Sequence, residues 1–339
     1  MPLKKLHITL IPIIFFGYAV LVNMMLLVPK ASAPKPLVWD HSLSHSLDQL
    51  YADQQLHAPF AQAAIGALRY ALLREGREGV RVAPEGWLLS EEEFRPPLPE
   101  ESARGLRQQI VDFAQHIQAQ GGQVIVVLLP TKAESLGLTL SPELPQQKHR
   151  LVAALRAGGV AYLDAAPALE GQNSFFQTDT HWTPKGARYV ADLMARSFPS
   201  LTGNADVQVT EPTPDHFTGD LIPFVTHARL APFIGLPRET AKVLRATITV
   251  GEFKDLFAEP KGAHALVGTS YSANPRWGFE DALKVALDRD ILNFAATGQG
   301  PLVPMKAYLE RQDRDPQATV IWEFPVRYLT DPNILERVQ

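Results

Sequence analysis

The segment Val124-Ile125-Val126-Val127-Leu128-Leu129 is followed at once by Pro130. An uninterrupted apolar run that ends at proline is typical of a strand buried on both faces of a sheet. The preceding segment Glu100–Gln120 has the periodicity of an amphipathic helix, and Gly121-Gly122 suits its C-terminal end. A buried strand beside an amphipathic helix indicates a layered α/β fold.

This alternation continues towards the C-terminus. The alternating elements are predicted helices at Gln146–Ala157, Pro184–Ser197, Trp277–Leu287 and Pro301–Arg311, and predicted strands at Val160–Leu163, His264–Gly268, Ile291–Ala295 and Ala318–Phe324. Residues 198–251 interrupt the alternation with an irregular, Pro-rich stretch that contains one predicted strand at Val243–Val250. The order of the alternating elements predicts a doubly wound, largely parallel sheet flanked by helices. Ligands bind at the carboxyl ends of the strands in such sheets, so the loops at that edge are expected to form the site.

The part of the chain before Pro99 has a different pattern. Helical periodicity is present in Ser42–Leu56 and Ala58–Leu73, and Val80–Ser90 is predicted to form either a strand pair or a strand followed by a turn. Trp87 within that segment is expected to anchor a core. We expect residues 42–339 to form one exported domain.

Composition excludes one class of function. The 339 residues are 46% hydrophobic and 20% charged, which is ordinary for a globular protein, and the formal net charge is −4. A chain without a basic field or a Lys/Arg run is not expected to bind nucleic acid. Cysteine is absent, so no disulfide is predicted.

An apolar run near the N-terminus predicts a membrane anchor. Leu6–Val28 is long enough to cross a bilayer, and Lys4 and Lys5 on its N-terminal side predict a cytoplasmic N-terminus. The competing interpretation is a cleavable signal peptide, because Ala31-Ser32-Ala33 resembles a cleavage site. The length of the run favours an anchor at 1–28, with residues 29–41 as a Pro-rich linker. The protein is then a single-pass inner-membrane protein whose domain lies in the periplasm.

Two segments carry residues suited to acyl transfer. Ser270 follows the predicted strand ending at Gly268, on a turn that would hold its hydroxyl clear of the sheet. Asp179 and His181 lie two residues apart, just before the helix predicted at Pro184. A carboxylate that orients an imidazole, and an imidazole that takes the serine proton, are the parts of a serine acyl-transfer site.

The chain resembles the alginate O-acetyltransferase AlgJ/AlgX family, whose catalytic domain is SGNH-hydrolase-like. The matching segments are Gly86-Trp87-Leu88, Pro130-Thr131-Lys132-Ala133, Thr178–Ala187 with Asp179-Thr180-His181-Trp182-Thr183-Pro184, Gly219-Asp220-Leu221, Gly268-Thr269-Ser270-Tyr271-Ser272 and Trp322-Glu323. The Asp/His block precedes the serine block, which matches the circularly permuted order of this family. The resemblance is to its membrane-anchored, single-domain members.

The resemblance implies roles for these residues. Ser270 would be the nucleophile, His181 the general base and Asp179 its orienting partner. Ordinary SGNH sites place an Asn in the oxyanion hole, but the corresponding strand here ends in Pro130-Thr131-Lys132. The oxyanion donors are therefore expected to be the backbone N–H of Ser270 and one glycine, either Gly298 or Gly300.

Further residues are candidates for the site, and some of them have two interpretations. Arg327 is expected either to contact acetyl or sugar or to form a structural ion pair, and Lys132 and Tyr271 are candidates to line the crevice. His216 and Asp220 suggest a metal site together with the Asp/His block, but no short-spaced ligand cluster supports one, so no metal or cofactor is predicted.

The function that the resemblance implies is transfer of acetyl groups onto hydroxyls of an exported polysaccharide through an acetyl-serine intermediate. A separate membrane-bound O-acyltransferase would supply the acetyl group. The same residues suit an acetyl esterase, and a non-catalytic polysaccharide-binding subunit of a secretion complex is the third possibility. Which polysaccharide is the acceptor stays open.

Overall fold

The computed structural model describes residues 16–18, 20, 58–138, 143–171, 173–210, 214–248 and 262–338. The predicted helix Ser42–Leu56 and the linker at 29–41 lie outside the described residues, as does most of Leu6–Val28. Among the residues that are described, no helix has both the length and the hydropathy that a membrane crossing requires.

From residue 58 onward the described chain alternates between helices and strands. The helices are α1 (Ala58–Leu73), α2 (Glu100–Ala119), α3 (Lys132–Ser135), α4 (Glu143–Ala157), α5 (Ala166–Leu169), α6 (Pro184–Ser197), α7 (Ser270–Ala273), α8 (Phe279–Leu287) and α9 (Leu302–Leu309). The strands are β1 (Val80–Val82), β2 (Leu88–Ser90), β3 (Gln123–Leu129), β4 (Ala161–Asp164), β5 (Val207–Thr210), β6 (Asp215–Phe217), β7 (Glu239–Ala241), β8 (Arg245–Ile248), β9 (His264–Val267), β10 (Ile291–Asn293) and β11 (Thr319–Pro325).

A five-stranded sheet in the order β10-β9-β11-β3-β4 forms the centre of the fold. All four pairings are parallel, and the register places Trp322 beside both Val126 and Val267. The prediction of a parallel α/β sheet is confirmed. The carboxyl ends of all five strands therefore lie at one edge of this sheet.

Each face of the sheet is covered by its own hydrophobic core. On β3, Ile125 and Val127 point into a core shared with α6 and α8, whereas Val126 and Leu128 point into a second core shared with α2, α4 and α9. Successive side chains of a strand alternate between faces, so a continuous apolar run is what a sheet with helices on both faces requires. This explains why the β3 segment has no polar alternation.

The strand predicted at Val243–Val250 is confirmed over its described part. Its described part forms β8, which pairs antiparallel with β5 outside the central sheet. A second small pair, β6 with β7, and the short helices α3 and α5 were not predicted. These elements are only three or four residues long, too short to have a measurable periodicity.

The antiparallel pair within Val80–Ser90 is confirmed as β1 and β2, joined by a 3₁₀ turn at Pro84–Gly86. Trp87 is buried in the core against α6, as expected. Boundaries elsewhere shift by up to three residues, the largest shift being that α4 begins at Glu143 instead of Gln146.

Candidate active site

The turn after β9 presents Ser270 at the carboxyl edge of the sheet. Thr269 is the N-cap residue of the short helix α7, and its hydroxyl accepts a hydrogen bond from the N–H of Tyr271 at 3.4 Å. Ser270 is the first residue of α7, so its own N–H has no acceptor inside the helix. Its hydroxyl is half-buried and borders a cavity.

The loop before α6 brings Asp179 and His181 to the same edge. Oδ1 of Asp179 accepts hydrogen bonds from His181 Nδ1 at 2.7 Å and from His181 N at 2.9 Å, and Oδ2 accepts one from the backbone N–H of Asp220 at 2.9 Å. Burial by itself would raise the pKa of Asp179, but these hydrogen bonds with His181 and Asp220 hold the pKa below its usual value. The side chain is therefore ionised at neutral pH.

His181 connects this carboxylate to the serine. Its Nε2 lies 2.7 Å from Ser270 Oγ. With Nδ1 donating to Asp179, Nε2 accepts the proton of the serine hydroxyl. The imidazole is stacked on Trp277, with ring centroids 4.9 Å apart and planes at 20°, and contacts the Tyr271 ring at the same distance. These rings fix the orientation of the imidazole. His181 and Ser270, which are 89 residues apart in the sequence, meet in one hydrogen-bonded chain.

Asp220 is a second carboxylate beside the imidazole. Its Oδ2 lies 3.7 Å from His181 Nδ1, and its Oδ1 accepts from the backbone N–H and the hydroxyl of Thr180. Burial and the neighbouring charge of Asp179 raise the pKa of Asp220. Ligand atoms of Asp179, His181 and Asp220 lie within 4.8 Å of one another, close enough to hold a cation, but Nδ1 of His181 is already hydrogen-bonded to Asp179.

His216 is not part of this group. It lies on β6, where its exposed ring is hydrogen-bonded through Nδ1 to Thr240 Oγ1 at 2.9 Å. The side chain that joins the Asp/His block is instead Asp220.

Lys132 does not line the crevice, contrary to the sequence-based suggestion. Its side chain is 1% exposed, and Nζ donates to the carbonyl oxygens of Leu88 at 2.6 Å and of Gln177 and Asp179 at 3.0 Å each. Burial lowers the pKa of Lys132 to about 8. The ammonium group thus lies beneath the loop that carries Asp179 and holds its backbone in place.

Arg327 and Tyr271 lie together on one side of the site. The Tyr271 hydroxyl donates to the carbonyl oxygen of Thr180 at 2.9 Å, and Nη1 of Arg327 lies 3.5 Å from that hydroxyl. Arg327 also lies 3.6 Å from a carboxylate oxygen of Glu92. Arg327 therefore forms the predicted ion pair, and it also borders the cavity next to Ser270.

The cavity in front of Ser270 has a volume of about 570 Å³. Its lining includes the acidic residues Glu91, Glu92, Asp220 and Asp331 and the basic residues Arg95, Arg327 and Arg337. Such a surface suits a hydroxyl-rich or charged ligand better than an apolar one.

The two candidate glycines differ in position. Gly298 is exposed, borders the cavity and has a φ of +76° with open space where a Cβ would lie. Gly300 is buried, and a Cβ there would lie 3.3 Å from the Tyr328 ring. Between the two, Gly298 is the one that borders the same cavity as Ser270.

Sequence reasoning did not assign a role to Glu323, a completely buried residue at the carboxyl end of β11. Its carboxylate accepts hydrogen bonds from the N–H of Thr269 at 2.7 Å, from the hydroxyl of Thr269 at 3.0 Å and from the hydroxyl of Ser272 at 3.1 Å. A glutamate inside an apolar strand is a signal that could have been noticed, since charged residues are rarely buried without partners.

A parallel α/β sheet with helices on both faces, and a serine, a histidine and an aspartate in one hydrogen-bonded chain at its carboxyl edge, define the SGNH-hydrolase-like class. Residues 80–326 match the family model described as an SGNH hydrolase-like domain of the acetyltransferase AlgX. The chain belongs to this AlgJ/AlgX family.

Named relatives agree with this assignment. The probable alginate O-acetylase AlgJ of Azotobacter vinelandii is 36% identical over 288 residues, covering 78% of this chain and 73% of its own length. The AlgJ of Pseudomonas fluorescens is 37% identical over 283 residues, covering 78% and 71%.

Solved structures show the same fold. The O-acetyltransferase domain of Pseudomonas putida AlgJ superposes with a TM-score of 0.64 at 31% identity, covering 76% of this chain and 94% of that one. Pseudomonas aeruginosa AlgX superposes with a TM-score of 0.55 at 23% identity, covering 74% and 67%, and is similar in fold.

Proposed function

We propose that this protein transfers acetyl groups onto hydroxyls of alginate through an acetyl-serine intermediate, with Ser270, His181 and Asp179 as the catalytic residues. The observation that carries the proposal is the continuous hydrogen-bonded chain from Asp179 through His181 to Ser270 Oγ, with both links at 2.7 Å. Membership of a family whose relatives are named alginate O-acetylases supports the acetyl group and the acceptor.

The first half-reaction loads the enzyme. Ser270 Oγ attacks the acetyl carbonyl of the donor while its proton moves to His181 Nε2, and Asp179 stabilises the imidazolium that forms. The donor's leaving oxygen then takes this proton from Nε2 as its bond to the acetyl carbon breaks. The acetyl group is left as an ester on Ser270.

The second half-reaction transfers the acetyl group to sugar. His181 Nε2 accepts the proton of a sugar hydroxyl, whose oxygen attacks the acetyl-serine carbonyl, and the proton returns to Ser270 Oγ as the ester bond breaks. We assign the backbone N–H of Ser270 and that of Gly298 as donors to the oxyanion of both tetrahedral intermediates. The helix start at Ser270 and the position of Gly298 on the cavity support this assignment.

The setting of the reaction is also part of the proposal. We place the catalytic domain in the periplasm, anchored to the inner membrane by Leu6–Val28, because that apolar run follows Lys4 and Lys5. A membrane-bound O-acyltransferase would deliver the acetyl group across the bilayer. An anchor would keep the domain close to such a supplier.

The nearest alternative is an acetyl esterase, since water can replace the sugar hydroxyl in the second half-reaction. The experiment that separates the two incubates the full-length protein in detergent with an activated acetyl ester and mannuronate oligosaccharides, and follows the products by mass spectrometry. Acetylated oligosaccharide formed by the wild type and absent with Ser270→Ala supports the transferase. Free acetate alone across several uronate oligosaccharides would favour the esterase.

A polysaccharide-binding subunit without catalysis is the third candidate. It predicts that Ser270→Ala retains the full effect of the protein on polymer acetylation in cells. The assembled hydrogen-bonded chain gives this interpretation no support, because binding alone does not require a serine hydroxyl held 2.7 Å from an imidazole.

A further inference from the structure

The carboxylate of Glu323 accepts several hydrogen bonds from the turn that carries Ser270. Its acceptor contacts go to Thr269 and Ser272, the residues that flank Ser270 and Tyr271 on the turn, at 2.7 to 3.1 Å. Glu323 itself is 0% exposed and does not border the cavity that Ser270 faces. A role in contact with substrate is therefore excluded for this carboxylate.

The turn lies so close to Glu323 that position 268 requires glycine. A Cβ on Gly268 would be 2.5 Å from Glu323 Oε2 and 2.8 Å from its Cβ. The carboxylate is thus packed against the backbone of the turn as well as hydrogen-bonded to it. Both constraints act on the segment that aims Ser270 Oγ at His181.

We propose that Glu323 is a positioning residue, whose carboxylate holds the Gly268–Ser272 turn in the conformation that places Ser270 Oγ beside His181 Nε2. The inference rests on the proposed role of Ser270 as nucleophile and is independent of which sugar accepts the acetyl group. It extends the Asp179–His181–Ser270 chain by a second buried carboxylate that acts on the nucleophile side.

The protonation state of Glu323 follows from its surroundings. Burial raises the pKa of Glu323 to about 7, and the hydrogen bonds from Thr269 and Ser272 and the charge of Arg327 oppose part of that rise. The charge of Glu323 also acts on the Tyr271 phenol, whose pKa is raised mainly by burial. An ionised carboxylate only accepts hydrogen bonds, whereas a protonated one also donates. Protonation therefore rearranges the contacts that fix the turn, and turn order should fall as the pH drops through about 7.

Two substitutions separate shape from charge. Glu323→Leu removes every acceptor while keeping a side chain of similar size, and Glu323→Gln keeps one acceptor and cannot ionise. The matched control is Glu93→Leu, since Glu93 is likewise a buried glutamate with a raised pKa but accepts a hydrogen bond from the N–H of Ala133 instead of from the serine turn.

The assay uses the full-length protein in detergent and three measurements: kcat and KM on a small activated acetyl ester, the rate at which a fluorophosphonate labels Ser270, and the melting temperature. For Glu323→Leu we expect kcat and the labelling rate to fall about 100-fold with KM changed less than about threefold, because the nucleophile is misplaced while the cavity is intact. For Glu323→Gln we expect a loss of about tenfold. Glu93→Leu should lower the melting temperature with kcat within about threefold of wild type.

The pH dependence gives a readout that a purely structural role would not change. Any pH dependence that the wild type and Glu323→Gln share cancels in the ratio of the wild-type labelling rate to that of Glu323→Gln. This ratio should fall as the pH is lowered from about 8 to about 6, because only the wild type loses its carboxylate in that range.

Three results would overturn the inference. The first is a kcat of Glu323→Leu within about twofold of wild type, and the second is a loss of kcat in Glu93→Leu equal to that in Glu323→Leu. The third is a ratio of wild-type to Glu323→Gln labelling rates that does not change with pH. If Glu323→Leu does not fold, the test rests on the kcat of Glu323→Gln and on the pH dependence of the labelling-rate ratio between wild type and Glu323→Gln. Labelling that persists in Ser270→Ala would instead refute the proposed nucleophile, which is a separate failure.

Discussion

Ser270 and Ser272 occupy the same turn but differ in what surrounds their hydroxyls. Ser272 is 2% exposed and donates to Glu323, whereas Ser270 borders the cavity with its Oγ 2.7 Å from the imidazole. A reagent from solvent therefore reaches Ser270 and not Ser272. The sequence Gly-Thr-Ser-Tyr-Ser alone offers both.

Losses at the three proposed catalytic residues should be strongly non-additive. Ser270→Ala and His181→Ala should each reduce kcat by about 10³-fold or more, and the double variant should be little worse, because both remove the same step. Asp179→Ala should retain more activity, since Asp179 orients the imidazole and does not contact Ser270. Ester hydrolysis and transfer assays measure this, and multiplicative losses in the double variant would show that the residues do not act as a unit.

Lys132 should contribute to stability and to the order of the Asp179 loop. Lys132→Met removes three hydrogen bonds to backbone carbonyl oxygens. Among the described residues, only the carbonyl oxygen of Gln177 keeps another donor, the N–H of Leu88, so the free energy of unfolding should fall by about 2 kcal/mol. Lys185→Met, at an exposed position on α6, is the control and should change it little. Equal effects in urea unfolding would contradict this account.

The lowered pKa of Lys132 also determines the direction in which folding stability changes with pH. Between about 8, its pKa in the folded state, and 10.5, its ordinary value, the unfolded chain binds more protons than the folded one. Stability of the wild type relative to Lys132→Met should therefore rise with pH across that window. Unfolding curves at successive pH values measure the difference, and a fall with pH would reverse the interpretation.

At the scale of elements, the decisive feature is where β9 ends and α7 begins. The strand end, the N-cap at Thr269 and the contact with β11 all converge on a turn of five residues, 268–272. The strand end fixes the direction of the turn and the neighbouring strand supplies its acceptors. The turn is therefore sensitive to small changes in volume.

Gly268→Ala should impair activity more than stability. The added methyl collides with Glu323 at 2.5 Å, so the turn must shift, and a displacement of about 1 Å costs about 100-fold in rate. Gly105→Ala is the control, because its added methyl meets Leu335 at an ordinary 3.5 Å on α2 and should stabilise the helix by up to about 1 kcal/mol. Wild-type kcat in Gly268→Ala would show that the turn tolerates the shift.

At the scale of the whole molecule, the anchor and the catalytic domain should be separable. We expect Leu6–Val28 to stay attached, so that the full chain fractionates with membranes and its mature N-terminus precedes Pro34. A version that begins at Pro29 behind a cleavable signal should keep hydrolysis of small esters and lose acetylation of polymer in cells, because it is no longer held near the acetyl supplier.

N-terminal sequencing and cell fractionation test this expectation, with full-length Ser270→Ala as the inactive, membrane-bound control. A mature chain that begins at Pro34 would show that the apolar run is a cleaved signal peptide. Unchanged polymer acetylation by the version released from the membrane would show that anchoring has no role in acetyl supply.

The sequence by itself determined the parallel α/β class and the main strands and helices, because apolar runs and helical periodicity are local signals. It also offered the three residues of the hydrogen-bonded chain in two short blocks, and the resemblance to the AlgJ/AlgX family supplied their expected roles. The antiparallel pairs β5–β8 and β6–β7 were not predicted, because their strands are too short for periodicity and their partners are distant in sequence.

Only the tertiary structure decided which charged residues contribute to the site and which contacts they make there. Lys132, expected in the crevice, is buried beneath the loop of Asp179, and Glu323, assigned no role, holds the turn of Ser270. Burial and hydrogen-bond partners depend on which strand ends lie side by side, here β11 between β9 and β3. That order is a property of the packed sheet, and no local pattern in the chain encodes it.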